Sequence, residues 1–191
     1  GYLHLRHFIK AALTPEDGSP SLTDAANFFK EVSVTDLIID LRYNGGGLLS
    51  VADTMMDLLA GMTATGEASF KIQVNDQHPE FNDDRDYWGL FDELPDTFSP
   101  IRIAFITSRS TASASELVIN GLHPHIDAVM VGGNTYGKQV GQGRWDLHEL
   151  EEGLEREDCD VALRLTAFEI VNGENEGGYH QVGLDGTGRF T

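Results

Sequence analysis

Twice along this chain, a short apolar run leads through a turn of small residues into a pattern of helical spacing. The first unit spans residues 37–59 and the second spans residues 101–122. In the first, the apolar residues after the turn recur at intervals of three and four, which is the period of an amphipathic helix. Strands that alternate with helices are typical of α/β proteins. The sequence therefore predicts an α/β fold in which each turn opens onto a helix N-terminus.

Further elements are expected on either side of these two units. Apolar residues at helical spacing predict a helix over 22–32, and Ser21 and Asp24 near its start are good N-caps. Asn172-Gly173 is a turn signal that favours a β-hairpin. With 191 residues, the chain has the length of one domain. Short apolar runs predict strands at 2–8, 70–74, 128–131 and 161–171.

The net charge of −18 argues against nucleic acid as a partner, because phosphates are repelled by a chain with 31 acidic and 13 basic residues. Eight of the acids lie in 75–100 and seven in 148–160. We interpret these stretches as solvated loops, the first as a loop or partly mobile flap. Repulsion of acidic substrates and binding of a cation are the alternatives.

Cys159 is the only cysteine, so the chain forms no internal disulfide and no cysteine-based metal site. No apolar run approaches the roughly 20 residues of a membrane-spanning helix, and no targeting segment is present. The chain opens directly on the strand-like segment 2–8. We therefore expect residues 1–191 to be a single core domain cut from a longer protein.

The first turn, 40–48, contains three consecutive glycines, Gly45 to Gly47. Glycine allows close approach of the backbone and positive φ, and the N–H groups of a following helix can stabilise a developing oxyanion. A simple turn is the alternative. The spacing does not match a dinucleotide-binding fingerprint.

The second turn is rich in hydroxyl groups and contains Ser113, Ser115 and Glu116. On a helix, Ser113 and Glu116 can share a face, whereas Ser113 and Ser115 cannot. Residue chemistry alone does not choose among the serines, and a set of N-caps is the alternative.

Lys138 is one of only four lysines and lies among glycines in the loop 132–142. A lysine becomes a general base only where its surroundings favour the neutral amine. An exposed loop lysine is the alternative. His123 and His125 form the only close histidine pair, and we interpret them as surface or structural residues because they lack zincin spacing.

Three segments, taken together and in order, resemble the carboxyl-terminal processing peptidases, also called tail-specific proteases. They are LIIDLRYNGGGLL at 37–49, TASASE at 111–116 and GGNTYGKQVGQ at 132–142. The resemblance covers residue 1 to about residue 171. It implies a crotonase-like fold (Clp protease/crotonase) of stacked β-β-α units. It also implies an endopeptidase that cleaves peptide bonds near protein C-termini through a Ser–Lys acyl-enzyme mechanism.

The same resemblance assigns roles to individual residues. Ser113 is the expected nucleophile, Lys138 the general base and Gln142 the residue that orients the lysine. The N–H of Ala114 forms one arm of the oxyanion hole, and Gly47, with Gly46 as the alternative, forms the other. Glu116 corresponds to an acidic position near the nucleophile. No metal and no cofactor are needed.

The chain departs from the family pattern at Gln139, where a small residue is more usual after the lysine, and it lacks the PDZ module expected before residue 1. That module is expected in the full-length protein, together with export to a periplasm or envelope, and oligomer formation is left open. A non-catalytic ligand- or peptide-binding module on the same fold is the alternative function. Acyl-CoA chemistry of the crotonase type is disfavoured, because the net charge of −18 would repel an anionic nucleotide.

Overall fold

The computed structural model describes residues 1–15, 20–82, 84–146, 161–179 and 181–189. Within them, the helices are α1 (Leu22–Glu31), α2 (Leu49–Ala64) and α3 (Ala114–Leu122). The strands are β1 (Tyr2–His4), β2 (Asp36–Asp40), β3 (Ala68–Gln73), β4 (Trp88–Leu90), β5 (Arg102–Thr107), β6 (Asp127–Gly132), β7 (Val140–Asp146), β8 (Ala162–Asn172) and β9 (Thr187–Arg189). The predicted α/β class is confirmed.

The strands form two sheets. The first has the order β1-β2-β5-β6-β9, and its first four strands are parallel, while β9 pairs with β6 in the antiparallel sense. The second has the order β4-β3-β8-β7 and is antiparallel throughout. Because β2 and β5 are adjacent and parallel, the turns that follow them emerge at the same edge of the first sheet.

The helices fill the space beside the sheets. Ser21 is the N-cap of α1, and its hydroxyl and backbone N–H form a capping box with Asp24. The helix buries Leu22, Ala26 and Phe29. All nine residues of α3 are buried, and α3 contacts α2, β3 and β8. A Cβ at Gly121 of α3 would lie 2.7 Å from Met56 Sδ and 2.8 Å from Ser69 O, so this close packing depends on glycine. α3 therefore lies where both layers of the structure meet.

The acidic stretch 75–100 is not a loop throughout. It contains two 3-10 helices, Pro79–Phe81 and Arg85–Tyr87, and the strand β4. After the strand, Phe91 is fully buried, and the Thr97 hydroxyl donates to Asp57 O on α2. The apolar residues interspersed among the acids are what anchor this stretch. Residues 148–160, including Cys159, lie within the part of the chain that is not described.

The strand β7 begins in the last three residues of the segment 132–142, where a loop was expected, and continues to Asp146. Its glycines are covered by aromatic rings: a Cβ at Gly141 would lie 2.0 Å from the Phe168 ring, and one at Gly143 would lie 2.2 Å from the Trp145 ring. Glycine under an aromatic ring is tolerated in a sheet, although it reads as a loop signal in sequence. The expected hairpin after Asn172 is wrong, because β8 pairs with the preceding β7 and with β3.

No helix in the described part of the chain is long and apolar enough to cross a membrane.

Two carboxyl groups lie one turn apart on the inner side of α2. Burial, reinforced by the charge of Asp92, raises the pKa of Asp53 to about 6. Burial, with smaller contributions from the charges of Asp53 and Asp92, raises the pKa of Asp57 to about 7. Asp57 accepts the Asp92 N–H, whereas Asp53 Oδ1 has no hydrogen-bond partner among the described residues. Both carboxyl groups therefore stay protonated to a higher pH in the folded state than in the unfolded state.

We expect these carboxyls to lower stability as pH rises. An unfolded aspartate has a pKa near 3.9, so a raised folded pKa stabilises the protein below about pH 4, and this stabilisation is lost as pH rises through about 6 to 7. Asp53→Asn should raise the melting temperature at pH 8 by about 2–4 °C and leave it unchanged at pH 4. Partial exposure of Asp53 limits the size of the effect.

The measurement is thermal unfolding at both pH values. Asp76→Asn, in the exposed part of the acidic stretch, is the matched control and should change the melting temperature equally at both. Parallel pH profiles for Asp53→Asn and the unmodified protein would contradict the expectation.

Candidate active site

The glycine turn after β2 and the serine turn after β5 are in direct contact. The Ala112 N–H donates to Asn44 O at 3.1 Å. A Cβ at Gly46 would lie 2.7 Å from Ser113 Cβ and 2.9 Å from Ala114 N. Gly46 also has φ of +101°, which side chains rarely tolerate. Only glycine at this position therefore lets the two turns approach so closely.

Asn44 connects three segments around this contact. Its Nδ2 donates to Leu5 O at 3.0 Å, and its Oδ1 accepts the Gly46 N–H at 2.9 Å. Its backbone carbonyl also accepts the Ser115 hydroxyl at 3.0 Å. The side chain is fully buried. Asn44 was not among the expected site residues, although its place directly before three glycines was a signal for a structural asparagine in the turn.

Ser113 is the N-cap of α3 and has an unusual backbone conformation, with φ of 58° and ψ of −118°. Positive φ is uncommon for a residue with a side chain and persists only where the surroundings enforce it. Here the Ser113 N–H donates to Glu116 Oε2 at 2.8 Å, and its carbonyl accepts the Leu117 N–H at 2.9 Å. The side chain stands at the wall of an open cleft.

Glu116 connects Ser113 to the loop that carries Lys138. Its carboxylate is fully buried and accepts four hydrogen bonds. One donor is the Ser113 N–H, and the others are the Thr135 hydroxyl at 2.6 Å, the Gly137 N–H at 2.6 Å and the Lys138 N–H at 2.8 Å. A buried carboxylate is costly unless its oxygens are hydrogen-bonded in this way. Glu116 thus fixes the position of the lysine loop relative to the serine turn.

Gln139, the departure from the family pattern, holds the other side of the same loop. It is buried, and its Oε1 accepts the Gly178 N–H at 2.7 Å and the Tyr179 N–H at 3.1 Å. A Cβ at Gly177 would lie 2.0 Å from Gln139 Nε2, so the large side chain is accommodated by a glycine opposite it. Lys138 lies between the Glu116 contacts and this anchor.

A cleft of about 230 Å³ lies between the serine turn, the glycine turn and the second sheet. Ser113, Ala114, Lys138, Gly47 and Gln142 all line it. Gln142 lies on β7 and is exposed, and Lys138 is partly buried. The apolar wall of the cleft is formed by Leu48, Leu49, Leu117, Val140, Phe168 and Ile170.

Two of the expected residues adjoin the cleft without lining it, and one further residue lines it. Of the expected site residues, Gly46 and Glu116 lie behind the lining. Arg164, which the sequence analysis did not identify, is part of it. No hydrogen bond joins Lys138 Nζ to Ser113 Oγ in the described structure.

A larger depression of about 470 Å³ lies on the outer face of the first sheet, around Ile38, Ala104 and Val129. None of the described residues that line it is a serine, cysteine, histidine or lysine, so they offer no pairing of nucleophile and base. Among the described residues, no group of histidine, cysteine or acidic side chains is placed to hold a metal ion.

The hydrogen bonds of the glycine turn distinguish Gly47 from Gly46. The Gly46 N–H donates to Asn44 Oδ1, and the Leu48 N–H donates to Phe8 O at 2.7 Å. In the described structure, the N–H groups of Gly47 and of Ala114, the first residue of α3, have no acceptor. Two unpaired N–H donors beside a serine can stabilise an oxyanion, as an acyl-transfer site requires. This arrangement favours Gly47 over Gly46.

Comparison with known proteins agrees with this architecture. The sequence profile of peptidase family S41 matches residues 1–187. The chloroplastic carboxyl-terminal-processing peptidase 1 of Arabidopsis thaliana is 30% identical over 149 residues, which cover 78% of this chain and 27% of that protein. Because the profile spans nearly the whole chain, the chain belongs to peptidase family S41.

Two solved structures have a similar fold. A candidate S41 protease from Bacteroides fragilis superimposes with a TM-score of 0.74 at 23% identity, over 97% of this chain and 46% of that one. The photosystem II D1 C-terminal processing protease gives a TM-score of 0.66 at 17% identity, over 97% of this chain and 41% of that one. At these identities the comparison establishes the fold alone. The chain spans less than half the length of each of these three relatives.

We expect Glu116→Ala to destabilise the protein by about 3 kcal/mol, because it leaves the four donors in its buried site without their acceptor. Urea unfolding should then have its midpoint lowered by about 1–2 M. The Lys138 amide should also lose protection from hydrogen exchange.

Glu174→Ala is the matched control, since Glu174 is exposed. It should leave both the urea midpoint and the exchange rate of the Lys138 amide unchanged. An unchanged midpoint in Glu116→Ala would show that the carboxylate does not hold the two segments together.

Proposed function

We propose that this chain is the catalytic core of a serine endopeptidase in which Ser113 is the nucleophile and Lys138 is the general base. The observation that carries the proposal is that Ser113, in a strained N-cap conformation, and Lys138 line one cleft while Glu116 binds both of their segments. Membership of peptidase family S41 and the similarity to a carboxyl-terminal-processing peptidase support it.

In this mechanism, the neutral amine of Lys138 removes the proton of the Ser113 hydroxyl as Oγ bonds to the carbonyl carbon of the scissile peptide. The carbonyl oxygen becomes an oxyanion that accepts hydrogen bonds from the N–H groups of Gly47 and Ala114. When the intermediate collapses, the carbon–nitrogen bond breaks and the proton passes from Lys138 to the leaving amine. Water then hydrolyses the acyl-enzyme, again with Lys138 as the base.

Gln142 orients the Lys138 amine in this proposal. It lies on β7 four residues after the lysine and lines the same cleft. Asn44, Glu116 and Gln139 are positioning residues, because each fixes the backbone of a segment that carries a reacting group. A fixed backbone contributes to rate by holding the groups in a near-attack geometry.

The crotonase-like arrangement of β-β-α units belongs to the same proposal, as do protein substrates cleaved near their C-termini. By its similarity to the carboxyl-terminal processing peptidases, the full-length protein is proposed to contain a PDZ domain and to be exported to a periplasm or envelope. Assembly into oligomers is compatible with this proposal but no contact argues for it.

We expect Ser113→Ala and Lys138→Ala each to lower kcat/KM for peptide cleavage by at least about 1,000-fold, since each removes a member of the reacting unit. The measurement is cleavage of an internally quenched peptide, together with labelling of the serine by a fluorophosphonate. Ser113→Ala should abolish the labelling. Thermal unfolding should show that both variants remain folded.

Ser110→Ala and Lys10→Ala are the controls, because both residues are exposed. Full activity of Ser113→Ala would rule out the mechanism. Peptide binding without turnover by the unmodified protein, even within its full-length form, would instead favour the alternative of a non-catalytic binding module.

A further inference from the structure

The proposed cleft contains a second cation, Arg164. Among the described residues that line the cleft, only Lys138 and Arg164 are charged, and none is acidic. This is a local reversal in a chain with a net charge of −18. A positive cleft in a negative protein concentrates anionic groups at that position.

Arg164 also differs in its bonding from four of the other arginines. Arg42, Arg102 and Arg144 each form an ion pair with an aspartate, and Arg109 donates to two backbone carbonyls. Arg164 is exposed on β8 and makes no hydrogen bond or ion pair with the described residues. Its guanidinium is therefore available to a ligand.

The position of Arg164 in the second sheet is not one that stabilises the folded protein. It lies directly opposite Arg144 in the β7–β8 pair, and like charges at such positions are unfavourable. Arg164 and Phe168 both line the cleft and lie four residues apart along β8, on either side of the irregularity in the β7–β8 register, so at about 3.4 Å per residue they are at most roughly 13 Å apart. An extended peptide in the cleft covers that distance in about four residues.

We propose that Arg164 binds a carboxylate of the substrate a few residues from the scissile bond. The inference rests on the proposed peptidase function and adds the class of substrate. The planar guanidinium can donate two parallel hydrogen bonds to one carboxylate. That carboxylate comes from an Asp or Glu side chain or from the C-terminus of the peptide.

The negative charge of the rest of the chain makes the preference for a single substrate carboxylate stronger. A peptide with one carboxylate gains the Arg164 contact, whereas a peptide with several is repelled by the rest of the chain. The expected substrates are therefore mainly apolar peptides with a single negative charge at a defined position.

The test uses internally quenched peptides that share one apolar centre. In one pair, the two peptides have an amidated C-terminus and differ only in having Glu or Gln four residues from the apolar centre. This pair is made with the variable residue before the centre and again with it after the centre. The other pair has no acidic side chain and ends in a free carboxylate or an amide. The pair that shows discrimination identifies the source of the carboxylate.

We expect the unmodified protein to cleave the charged member of at least one pair with about 10-fold higher kcat/KM, as a charge-assisted hydrogen bond provides. Arg164→Gln should bring the ratio to about one, mainly through KM, while cleavage of the uncharged peptides is retained. Arg164→Lys should restore part of the ratio, and rising salt should reduce it. Arg85→Gln, which removes an equal charge from an exposed arginine outside the cleft lining, should keep the ratio of the unmodified protein.

Failure of this inference can be separated from failure of the proposed function. A ratio near one in the unmodified protein, or an equal ratio in Arg164→Gln, overturns the role of Arg164 while Ser113-dependent cleavage stands. If no peptide is cleaved, the role of Arg164 is tested by the dissociation constants of the same peptides for Ser113→Ala, with and without Arg164→Gln. Equal affinity for charged and uncharged peptides, or no binding of either, overturns the inference.

Discussion

The Glu116 carboxylate is the interaction on which the rest of the cleft depends. It is fully buried and accepts hydrogen bonds from the Ser113, Gly137 and Lys138 N–H groups and from the Thr135 hydroxyl. Removing a charge from water is costly, so these donors are needed to stabilise it, and they are in turn fixed by it. One side chain thereby holds the serine turn in its strained conformation and the lysine loop beside it.

Around Glu116, the glycine turn packs against its neighbours more closely than residues with side chains could. Gly46 packs against Ser113, and a Cβ at Gly47 would lie 2.1 Å from Phe8 O. The resulting hydrogen bonds occupy the N–H of Gly46 and leave those of Gly47 and Ala114 unpaired beside the serine. The glycine run thus builds the turn and leaves the Gly47 N–H unpaired beside the serine, so a side chain at Gly46 or Gly47 would disturb this geometry.

Much of the framework was predictable from periodicity. The helix over 22–32, both strand–turn–helix units and the α/β class are found in the structure, and the expected relation to the carboxyl-terminal processing peptidases is confirmed at the level of family S41. The misjudged parts are β7 and the stretch 75–100. In both, glycines or acids suggested loops, whereas aromatic packing over Gly141 and burial of Phe91 stabilise ordered structure. Such tertiary contacts leave no periodic signal.

The sequence by itself determined the family, the two turns and the identity of the residues proposed to react, because ordered motifs and residue chemistry are local properties. Only the tertiary structure decided how those residues are held. It assigned Glu116 and Asn44 their connecting roles, favoured Gly47 over Gly46 as the oxyanion donor, and showed that Arg164, distant in sequence from every motif, lines the same cleft. These facts depend on which hydrogen-bond donors are occupied and which are free, and that is set by contacts between segments far apart in the chain.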